Sequence, residues 1–518
     1  MLVKTFGSAV YGVEAITITV EVNVTEGLHT FIVGLVDSAV KESIQRVESA
    51  IKSNGYYMPR TKIIINLAPA GIRKFGSAFD LPIAIGILAA SDQLPDPEQL
   101  KDYVIMGELG LDGTIQPIKG TLPIAIQTAK ENFKGLIVPH QNASEAAIAR
   151  RLKTFAFTHL REVILFLKDN GSSTPIVSDI RNGFLPDDLP SDIDFSEVKG
   201  QESIKRALEI TAAGGHNAIL VGPPGSGKTM LARRLPTILP PPSFREALET
   251  TKIHSVAGKL PPNMPLLSQR PFRSPHHTIS GMALVGGGSI PTPGEISLAH
   301  NGVLFLDELP EFSRSTLEVL RQPMEDRRVT ISRAKFSVEF PSSFILVASM
   351  NPCPCGYYNH PDKACSCTSG AVSKYLNRIS GPLMDRIDLH VEVVPVPYER
   401  LSASQPGESS RQIRQRVMAA REIQRQRYAD GFDQMEKGTC FNARINGRLL
   451  QQFCRIDKTG DQLLRTAMER LKLSARAYDH ILKISRTIAD LAGKEDIAPE
   501  HIAEAIQFRS LDREEWVG

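Results

Sequence analysis

The feature that most constrains this chain is a glycine-rich loop between a strand and a helix. The apolar residues 218–221 lead directly into Gly222-Pro223-Pro224-Gly225-Ser226-Gly227-Lys228-Thr229, and a helical pattern begins with Met230. This is the phosphate-loop spacing in its required strand–loop–helix context. Its glycines let backbone N–H groups turn towards phosphate oxygens, and the helix N-terminus adds positive charge. We therefore predict an α/β domain that binds ATP, in which Lys228 reaches the β- and γ-phosphates and Thr229 binds Mg²⁺.

Two further apolar runs end in polar residues that suit ATP hydrolysis. Residues 303–306 form a hydrophobic run that ends in Asp307 and Glu308. We expect Asp307 to lie near Mg²⁺ and Glu308 near the attacking water, as its base or as the residue that positions it. A third run, residues 344–348, leads to Asn351, which can orient the same water. Asn351 also fits an ordinary turn residue at a strand end.

Length and charge set broad limits on the chain. At 518 residues it is too long for one core, so two or three domains are expected. The net charge of only +3 excludes a global polycation, so any nucleic-acid surface has to be local. The first residues lack the apolar run of a signal peptide, and no stretch has the length of a spanning helix. We expect a cytoplasmic protein without a membrane segment.

The pattern along the chain predicts three domains. Strand and helix signals in residues 1–170 indicate an amino-terminal α+β domain. Residues 171–192 are rich in Gly, Ser, Pro and Asp and lack periodicity, which predicts a linker. Residues 193–397 alternate apolar strands with helices around the nucleotide motifs and predict a parallel sheet, and residues 398–518 are helical in pattern.

Several elements of the first domain can be placed individually. Residues 16–24 alternate between apolar and polar, as a half-buried strand does. Asp37 or Ser38 can cap a helix that ends near Ser53. Residues 63–67 predict another strand, and residues 80–90 predict a largely buried helix.

Four of the six cysteines cluster directly after Asn351. Two close pairs, Cys353 with Cys355 and Cys365 with Cys367, can supply the tetrahedral sulfur shell that Zn²⁺ prefers. The intervening stretch is polar and turn-forming, so a metal would supply order that a core cannot. His360 can substitute for one ligand, and reduced thiols or an iron–sulfur cluster are the alternatives. We expect structural zinc.

Other segments carry a specific resemblance to a known family. They are Arg270-Pro-Phe-Arg-Ser-Pro-His-His277, Gly294-Glu-Ile-Ser-Leu-Ala-His-Asn-Gly-Val303, Leu320-Arg-Gln-Pro-Met-Glu325 and Val329-Thr-Ile-Ser-Arg-Ala334. Together with the nucleotide motifs they resemble the magnesium-chelatase-like AAA+ ATPases, and most closely the ComM/YifB family, over essentially the whole chain. The resemblance implies an AAA+ core with a helical lid, and an oligomeric ring, usually a hexamer, with ATP bound between neighbouring subunits.

The resemblance also assigns two arginines. The segment Leu383-Met-Asp-Arg386-Ile-Asp388 is similar to the arginine-finger segment, which makes Arg386 the residue that a neighbour inserts towards the γ-phosphate. The segment around Arg476 is similar to the sensor-2 helix, which makes Arg476 the lid contact to phosphate. Arg378 competes for the finger role, and either assigned residue also fits a surface arginine on a helix.

The amino-terminal domain resembles the proteolytic domain of Lon. The words Phe75-Gly-Ser77-Ala78 and Met106-Gly-Glu-Leu-Gly-Leu-Asp-Gly113 carry that resemblance. Lon cleaves with a serine that a lysine activates. Ser77 falls near the serine position, but Leu122 occupies the lysine position and Lys119 is offset by about one helical turn. We therefore expect a non-proteolytic platform that forms the ring or binds DNA.

Candidate DNA contacts lie in the second and third domains. Residues 329–340 alternate like a β-hairpin with Arg333 and Lys335 near its tip, where related ring motors grip phosphates in a central channel. Simple solvation of the tip is the alternative. The His276-His277 pair is interpreted as part of another channel insert. The arginines of residues 411–427 indicate a solvated lid face, or else a contact with DNA or with a neighbouring subunit.

Three functions are compatible with these observations. The favoured one, by resemblance, is a hexameric helicase or translocase that acts on single-stranded and branched DNA. It would drive branch migration in natural transformation or repair, together with recombination proteins. The second is the motor subunit of magnesium chelatase, against which the Lon-like domain and the cysteines stand. The third is an ATP-dependent Lon-like protease, against which the missing lysine stands.

Overall fold

The structure is a computed structural model that describes most of the chain. The described ranges are residues 1–169, 171–177, 193–261, 264–288, 290–333, 336–358, 360, 362–396, 407–429, 441–445 and 447–509. Most of the predicted linker, the predicted boundary at 397/398 and the candidate DNA contact Lys335 lie outside these ranges. Among the helices of these ranges, none combines the length and the apolar character needed to cross a bilayer.

Seven strands of the described residues form a mixed sheet in the amino-terminal region, in the order β3-β4-β2-β1-β5-β8-β9. The strands of this region, including the small β6–β7 ribbon, are β1 Leu2–Tyr11, β2 Glu14–Thr25, β3 Thr30–Val33, β4 Lys62–Ala68, β5 Tyr103–Ile105, β6 Glu108–Leu109, β7 Ile115–Gln116, β8 Gly135–Pro139 and β9 Lys153–Phe157. Strand β2 contains the predicted alternating run, and its Ile18, Val20 and Val22 are buried.

Helices cover this sheet. They are α1 Ser38–Ser53, α2 Asp80–Ala90, α3 Thr121–Lys130, α4 Ala143–Ala146 and α5 Leu160–Lys168, with 3₁₀ turns at Glu98–Asp102 and His140–Asn142. The Asp37 carboxylate caps α1 by accepting a hydrogen bond from Val40 N at 2.9 Å. Every residue of α2 is buried. The cap, the end of α1 and the buried α2 confirm the prediction.

The nucleotide motifs lie on a second sheet, which is parallel throughout its five described strands in the order β11-β14-β17-β10-β18. Its strands are β10 Ala218–Val221, β11 Phe272–Arg273, β14 Val303–Leu306, β17 Ile345–Met350 and β18 Leu389–Glu392. Val221 pairs with Met350 on one side of β10 and with Glu392 on the other. The carboxyl ends of these strands therefore form one edge of the sheet.

Helices and small ribbons surround the parallel sheet. The helices are α6 Glu202–Gly214, α7 Lys228–Ile238, α8 Phe244–Ala257, α9 Gly281–Val285, α10 Glu295–Leu298, α11 Arg314–Glu318, α12 Arg321–Asp326, α13 Ser369–Leu376 and α14 Gly381–Met384. The ribbons pair β12 Gly286–Gly287 with β13 Thr292–Pro293, and β15 Arg328–Arg333 with β16 Phe336–Pro341; 3₁₀ turns occupy Phe195–Glu197 and Leu309–Glu311. The β15–β16 pair confirms the predicted hairpin.

The carboxy-terminal region is helical, as predicted. It contains α15 Ser410–Arg427, α16 Gly447–Phe453, α17 Lys458–Leu471, α18 Ala475–Leu491 and α19 Pro499–Gln507, with a 3₁₀ turn at Asn442–Arg444. Val417 of α15 and Ile481 of α18 share one hydrophobic core with Leu208 of α6 and Leu220 of β10. This region is thus packed against the parallel sheet.

The arginines of α15 do not all lie on one solvent-exposed face of the helix. Arg421 donates to Ala212 O, and its guanidinium carbon lies 3.5 Å from the ring centroid of Phe441. Arg416 pairs with Glu209 of α6 at 2.5 Å, and Arg427 pairs with Asp490 of α18 at 2.5 Å. The solvated-face interpretation is wrong for these three residues because they fasten the helix to its own chain.

Candidate nucleotide-binding site

The three predicted nucleotide motifs converge at the carboxyl edge of the parallel sheet. The phosphate loop follows β10, Asp307 follows β14 and Asn351 follows β17, which lies between those two strands. Thr229 Oγ1 donates to Asp307 Oδ2 at 2.7 Å, and Lys228 Nζ donates to Asn351 Oδ1 at 3.2 Å. The motifs therefore form one polar cluster.

Lys228 is held against the backbone of the phosphate loop. Its ammonium donates to Gly222 O and Pro223 O, both at 2.8 Å. Burial lowers the pKa of Lys228, and the charges of Asp307 and Glu308 act in the opposite direction. The loop reaches this shape with φ of +77° at Gly225 and +85° at Gly227, a region that residues with a Cβ rarely adopt.

Asp307 is the most connected acid of the cluster. Besides Thr229, its carboxylate accepts hydrogen bonds from Ser349 Oγ and from Glu308 N. Adjacent threonine and aspartate oxygens are the ligands by which phosphate-loop enzymes hold Mg²⁺. The donor set thus fits that ion. Sequence reasoning missed Ser349, although its place two residues before Asn351 puts it at the same end of β17.

Glu308 projects from a strained turn towards solvent. Its φ is +54°, and its side chain is 59% exposed. His277 Nδ1 lies 3.5 Å from Glu308 Oε2, and the His277 ring also meets Phe312 edge-on. His277 follows β11, the strand beside β14, so it lies at the nucleotide edge of the sheet. It was interpreted from sequence only as part of a channel insert, and its contact with Glu308 was missed.

Arg386 and Arg476 meet at a different place, where both contact Glu325 of α12. The distances to Glu325 Oε1 are 2.7 Å from Arg386 Nη2 and 3.0 Å from Arg476 Nη2. Arg386 lies just before β18, and β18 is parallel to β10, which the phosphate loop follows. The two arginines are therefore at the amino edge of the sheet, opposite the phosphate loop of their own chain.

Arg378 lies elsewhere. Its guanidinium donates to Glu311 at 2.8 Å and to Pro310 O at 3.1 Å, in the turn that follows Glu308. It is therefore bound to the nucleotide edge of its own subunit, which makes it a poor competitor for the role of a residue inserted into a neighbour.

A buried carboxylate fixes the segment that carries Arg386. Asp388 accepts a hydrogen bond from Asn217 N at 2.7 Å and pairs with His480 of α18 at 2.5 Å. Burial opposes ionisation, but His480 and His216 hold the pKa of Asp388 well below its usual range. Asn217 also donates to Arg386 O at 3.2 Å. The segment that carries Arg386 is thus tied to both the sheet and the carboxy-terminal helices.

The two arginines line a cavity of about 1520 Å³ between the amino edge of the sheet and the carboxy-terminal helices. Arg270 and Arg421 also line it. Burial lowers the pKa of Arg421 well below its usual value, and Arg270 and Arg444 add to this effect by repulsion. Carboxylates also line the cavity, and Glu246 pairs with Arg270 while Glu325 pairs with Arg386 and Arg476, so several of its basic groups are compensated.

The four predicted cysteines form one cluster. All four ligand sulfurs lie within 4.8 Å of one another. Cys353 Sγ is 3.3 Å from Cys355 Sγ and 3.7 Å from Cys365 Sγ, and the latter two sulfurs are 3.5 Å apart. Hydrogen bonds from the backbone of Tyr357 and Ser366 lower the pKa of Cys355 to about 5. His360 is not in the cluster; its Nδ1 accepts from Asp362 N instead.

The Lon-like serine has no lysine partner among its described contacts. Ser77 Oγ donates to the Glu108 carboxylate. Lys74, three residues earlier, is fully buried and donates to Gly34 O and Pro69 O. Leu122 is also fully buried, in a cluster with Ile148 and with Ala247 of α8. The candidate lysine position is therefore occupied by a side chain that packs between the amino-terminal region and the region of the parallel sheet.

The candidate DNA hairpin contacts the amino-terminal region near its tip. Tyr11 OH donates to Ser337 O at 2.9 Å. Arg333 pairs in register with Phe336 at the end of the described hairpin, next to Lys335, which lies outside the described ranges. Ser337 pairs with Ser332, one step before the Arg333–Phe336 pair, so this contact lies beside Arg333.

Three sequence profiles match the chain in order. The profile described as subunit ChlI of Mg-chelatase matches residues 20–142. The profile described as magnesium chelatase, subunit ChlI, matches residues 194–401, and that of the C-terminal part of the subunit matches residues 407–509.

Full-length relatives are also similar. The competence protein ComM of Haemophilus influenzae is 44% identical over 513 residues, which cover 98% of this chain and 97% of the relative. The protein YifB of Escherichia coli is 44% identical over 510 residues, 98% of this chain and 96% of the relative. Lon protease 2 of Bacillus subtilis is 30% identical over 155 residues, 28% of this chain and 27% of that protein.

Proposed function

Because this chain belongs to the ComM/YifB family of magnesium-chelatase-like AAA+ ATPases, we propose that it is an ATP-driven motor that acts on DNA. The observation that carries the ATPase part is the convergence of Lys228, Thr229, Asp307 and Asn351 at one sheet edge. The relative named for competence supports DNA as the substrate.

Each residue of the cluster has a role in this proposal. Lys228 exchanges its bonds to loop carbonyls for bonds to the β- and γ-phosphates, and Thr229 and Asp307 hold Mg²⁺. The ion neutralises charge that develops on the phosphates during transfer. Glu308 orients the attacking water, and Asn351 holds both that water and Lys228 in place.

The proposed active unit is a ring, with a hexamer as the expected size. Arg386 and Arg476 lie opposite their own phosphate loop, which supports a role at the nucleotide of a neighbouring subunit. Their common partner Glu325 holds the two guanidinium groups together. On transfer of phosphate such cations stabilise the charge of the transition state, which can be worth about 10³–10⁵ in rate.

On DNA, the proposed activity is branch migration of recombination intermediates in transformation or repair, in cooperation with recombination proteins. In the sequence, Arg333 and Lys335 lie near the tip of the hairpin, where cations can contact phosphates. A ring would repeat these contacts around a channel. The amino-terminal domain is proposed to be non-proteolytic, because Ser77 is bound to an acid and Leu122 is buried in packing.

Zinc at the four cysteines is proposed as a structural cofactor. A tetrahedral site with Zn–S bonds of about 2.3 Å has sulfurs about 3.8 Å apart. The distances of 3.3–3.7 Å between three of the sulfurs are close to this value. The ligand set is thus complete without His360.

The decisive experiment measures ATP hydrolysis with and without single-stranded and branched DNA at low and physiological salt. We expect several-fold stimulation that fades as salt rises, because phosphate contacts release counterions. The double variant R333A/K335A should lose the stimulation. The matched control is R328A, which removes a cation at the hairpin base that pairs with Glu339 at 3.3 Å and should keep it.

Other outcomes separate the alternatives. K228A should abolish hydrolysis, and E308Q should bind ATP without turning it over; normal turnover in either refutes the site. Stimulation by a porphyrin instead of DNA favours a chelatase motor. Casein cleavage that S77A abolishes establishes a protease. Unchanged DNA stimulation in R333A/K335A refutes the hairpin contact.

A further inference from the structure

The cysteine cluster and the phosphate loop are joined by a short segment of chain. Strand β17 ends at Met350, whose carbonyl accepts a hydrogen bond from Gly222 N at 3.2 Å, at the first residue of the loop. The next residue, Asn351, accepts from Lys228 Nζ at 3.2 Å. Two residues later the first ligand candidate, Cys353, is fully buried. The segment therefore bonds to the loop and then enters the cluster.

A second contact returns from the cluster to the loop. Gly356, next to Cys355, packs on the ring of Pro224 so closely that a Cβ at Gly356 would lie 2.5 Å from Pro224 Cδ. The φ of Gly356 is +85°, which also favours glycine. Pro224 has a rigid ring and lies within the loop, so this contact restricts the position of the loop on the side that faces the cysteines.

The cluster is anchored on its other side by α13. Cys353 shares a hydrophobic core with Met350 and with Tyr375 of α13. Tyr375 is in turn hydrogen-bonded to the backbone of Asn351. Strand β17 is fixed within the sheet and α13 lies behind it. Of the described residues between Cys355 and Cys365, Tyr358 packs against this core, and the others are mainly polar. Four metal–sulfur bonds would fix that stretch.

We propose that the four cysteines bind a zinc ion that holds the phosphate loop in its binding shape, so that metal occupancy sets the affinity for nucleotide. The zinc centre acts through Gly356 on Pro224 and through Asn351 on Lys228. This inference rests on the proposed nucleotide site and deepens it. It makes nucleotide binding sensitive to chelators, which remove the ion, and to thiol oxidation, which removes the thiolates that bind it.

Two variants of the full-length protein test the linkage from opposite ends. C365S/C367S leaves two of the four sulfurs and should lose the metal. G356A keeps all four sulfurs but forces a methyl group against Pro224. The matched control is G370A at the start of α13, where an added Cβ meets nothing within 4 Å. Metal content is measured by mass spectrometry, and affinity by anisotropy of a fluorescent ATP analogue.

We expect the native protein and G370A to carry about one zinc per chain and to bind nucleotide equally well. The dissociation constant should rise about tenfold or more in G356A and in metal-free C365S/C367S. Hydrogen exchange of the β2 amides, remote from both changes, checks that each variant is folded.

Native affinity in G356A overturns the inference, and so does native affinity in a C365S/C367S protein that has lost its metal. Failure of the native protein to bind ATP at all is a different result. It refutes the proposed nucleotide site, and the linkage with it.

Discussion

Rescue of activity by mixing two inactive variants follows from the position of Arg386. In the proposed ring, each nucleotide site would combine the phosphate loop of one subunit with the Arg386 of the next. K228A destroys the first half of a site and leaves its own Arg386 intact, whereas R386A does the opposite. A mixed ring therefore contains some sites in which both halves are native.

The size of the rescue can be worked out from this geometry. In rings assembled at random from equal amounts of K228A and R386A, a site needs an R386A subunit on its loop side and a K228A subunit on its finger side. This arrangement occurs at about a quarter of the sites, whatever the ring size. Each parent alone should retain about 10⁻³ of native hydrolysis or less. The mixture should thus exceed both parents by at least about a hundredfold.

The assay is steady-state phosphate release after the two proteins are unfolded, mixed and refolded together, with native mass spectrometry to show that mixed rings have formed. The control mixes K228A with E308Q, two changes on the same side of the site, which cannot complement each other. Activity no greater than the sum of the parents, in rings shown to be mixed, contradicts the placement of Arg386 in a neighbour's site.

Three further outcomes follow from individual contacts. Burial raises the pKa of Asp80 from 3.8 to about 6. The folded state then binds more protons than the unfolded chain between about pH 4 and pH 6. The free energy of unfolding should therefore fall by up to about 3 kcal/mol as pH rises through that window. In urea unfolding, D80N should remove this dependence on pH. L122K should cost on the order of 3 kcal/mol, because it places an ammonium in an apolar cluster, and should not produce casein cleavage. H277A should lower turnover more than ATP affinity, since His277 contacts Glu308 and not the phosphate loop; equal losses in both would contradict this.

The parts of the fold that the sequence predicted are those fixed by local physics. The alternation in β2, the Asp37 cap of α1 and the apolar run of α2 each depend on neighbours within a few residues. The phosphate loop was equally predictable because its glycines permit the positive φ angles that this loop conformation requires. The cysteine pairs were found together for a similar reason, since two short spacings bring them to one place.

What the sequence could not show depends on how distant strands are arranged. His277 meets Glu308 only because β11 lies beside β14, and Glu325 joins Arg386 to Arg476 only because α12, the segment before β18 and α18 pack at one edge. None of these neighbours has a fixed sequence separation. The arginines of α15 were misjudged for the same reason: Glu209 and Asp490, their partners, lie far along the chain.

The burial of Leu122 gives the amino-terminal domain a role that its Lon-like sequence does not suggest. Leu122 N donates to Glu145 at 2.9 Å, and Ser255 of α8 donates to the same carboxylate. Gly120 N also donates to Ser255 O at 3.1 Å. Helix α8 is the next helix after α7, which begins in the phosphate loop. The position at which a protease needs a free lysine is thus occupied by a contact with the nucleotide-binding region, so a lysine there could serve catalysis only if this contact opened. A shift of α8 during ATP turnover would therefore be transmitted to the amino-terminal domain at Leu122 and Glu145, and also at Glu14, which pairs with Lys252 of α8 at 3.0 Å.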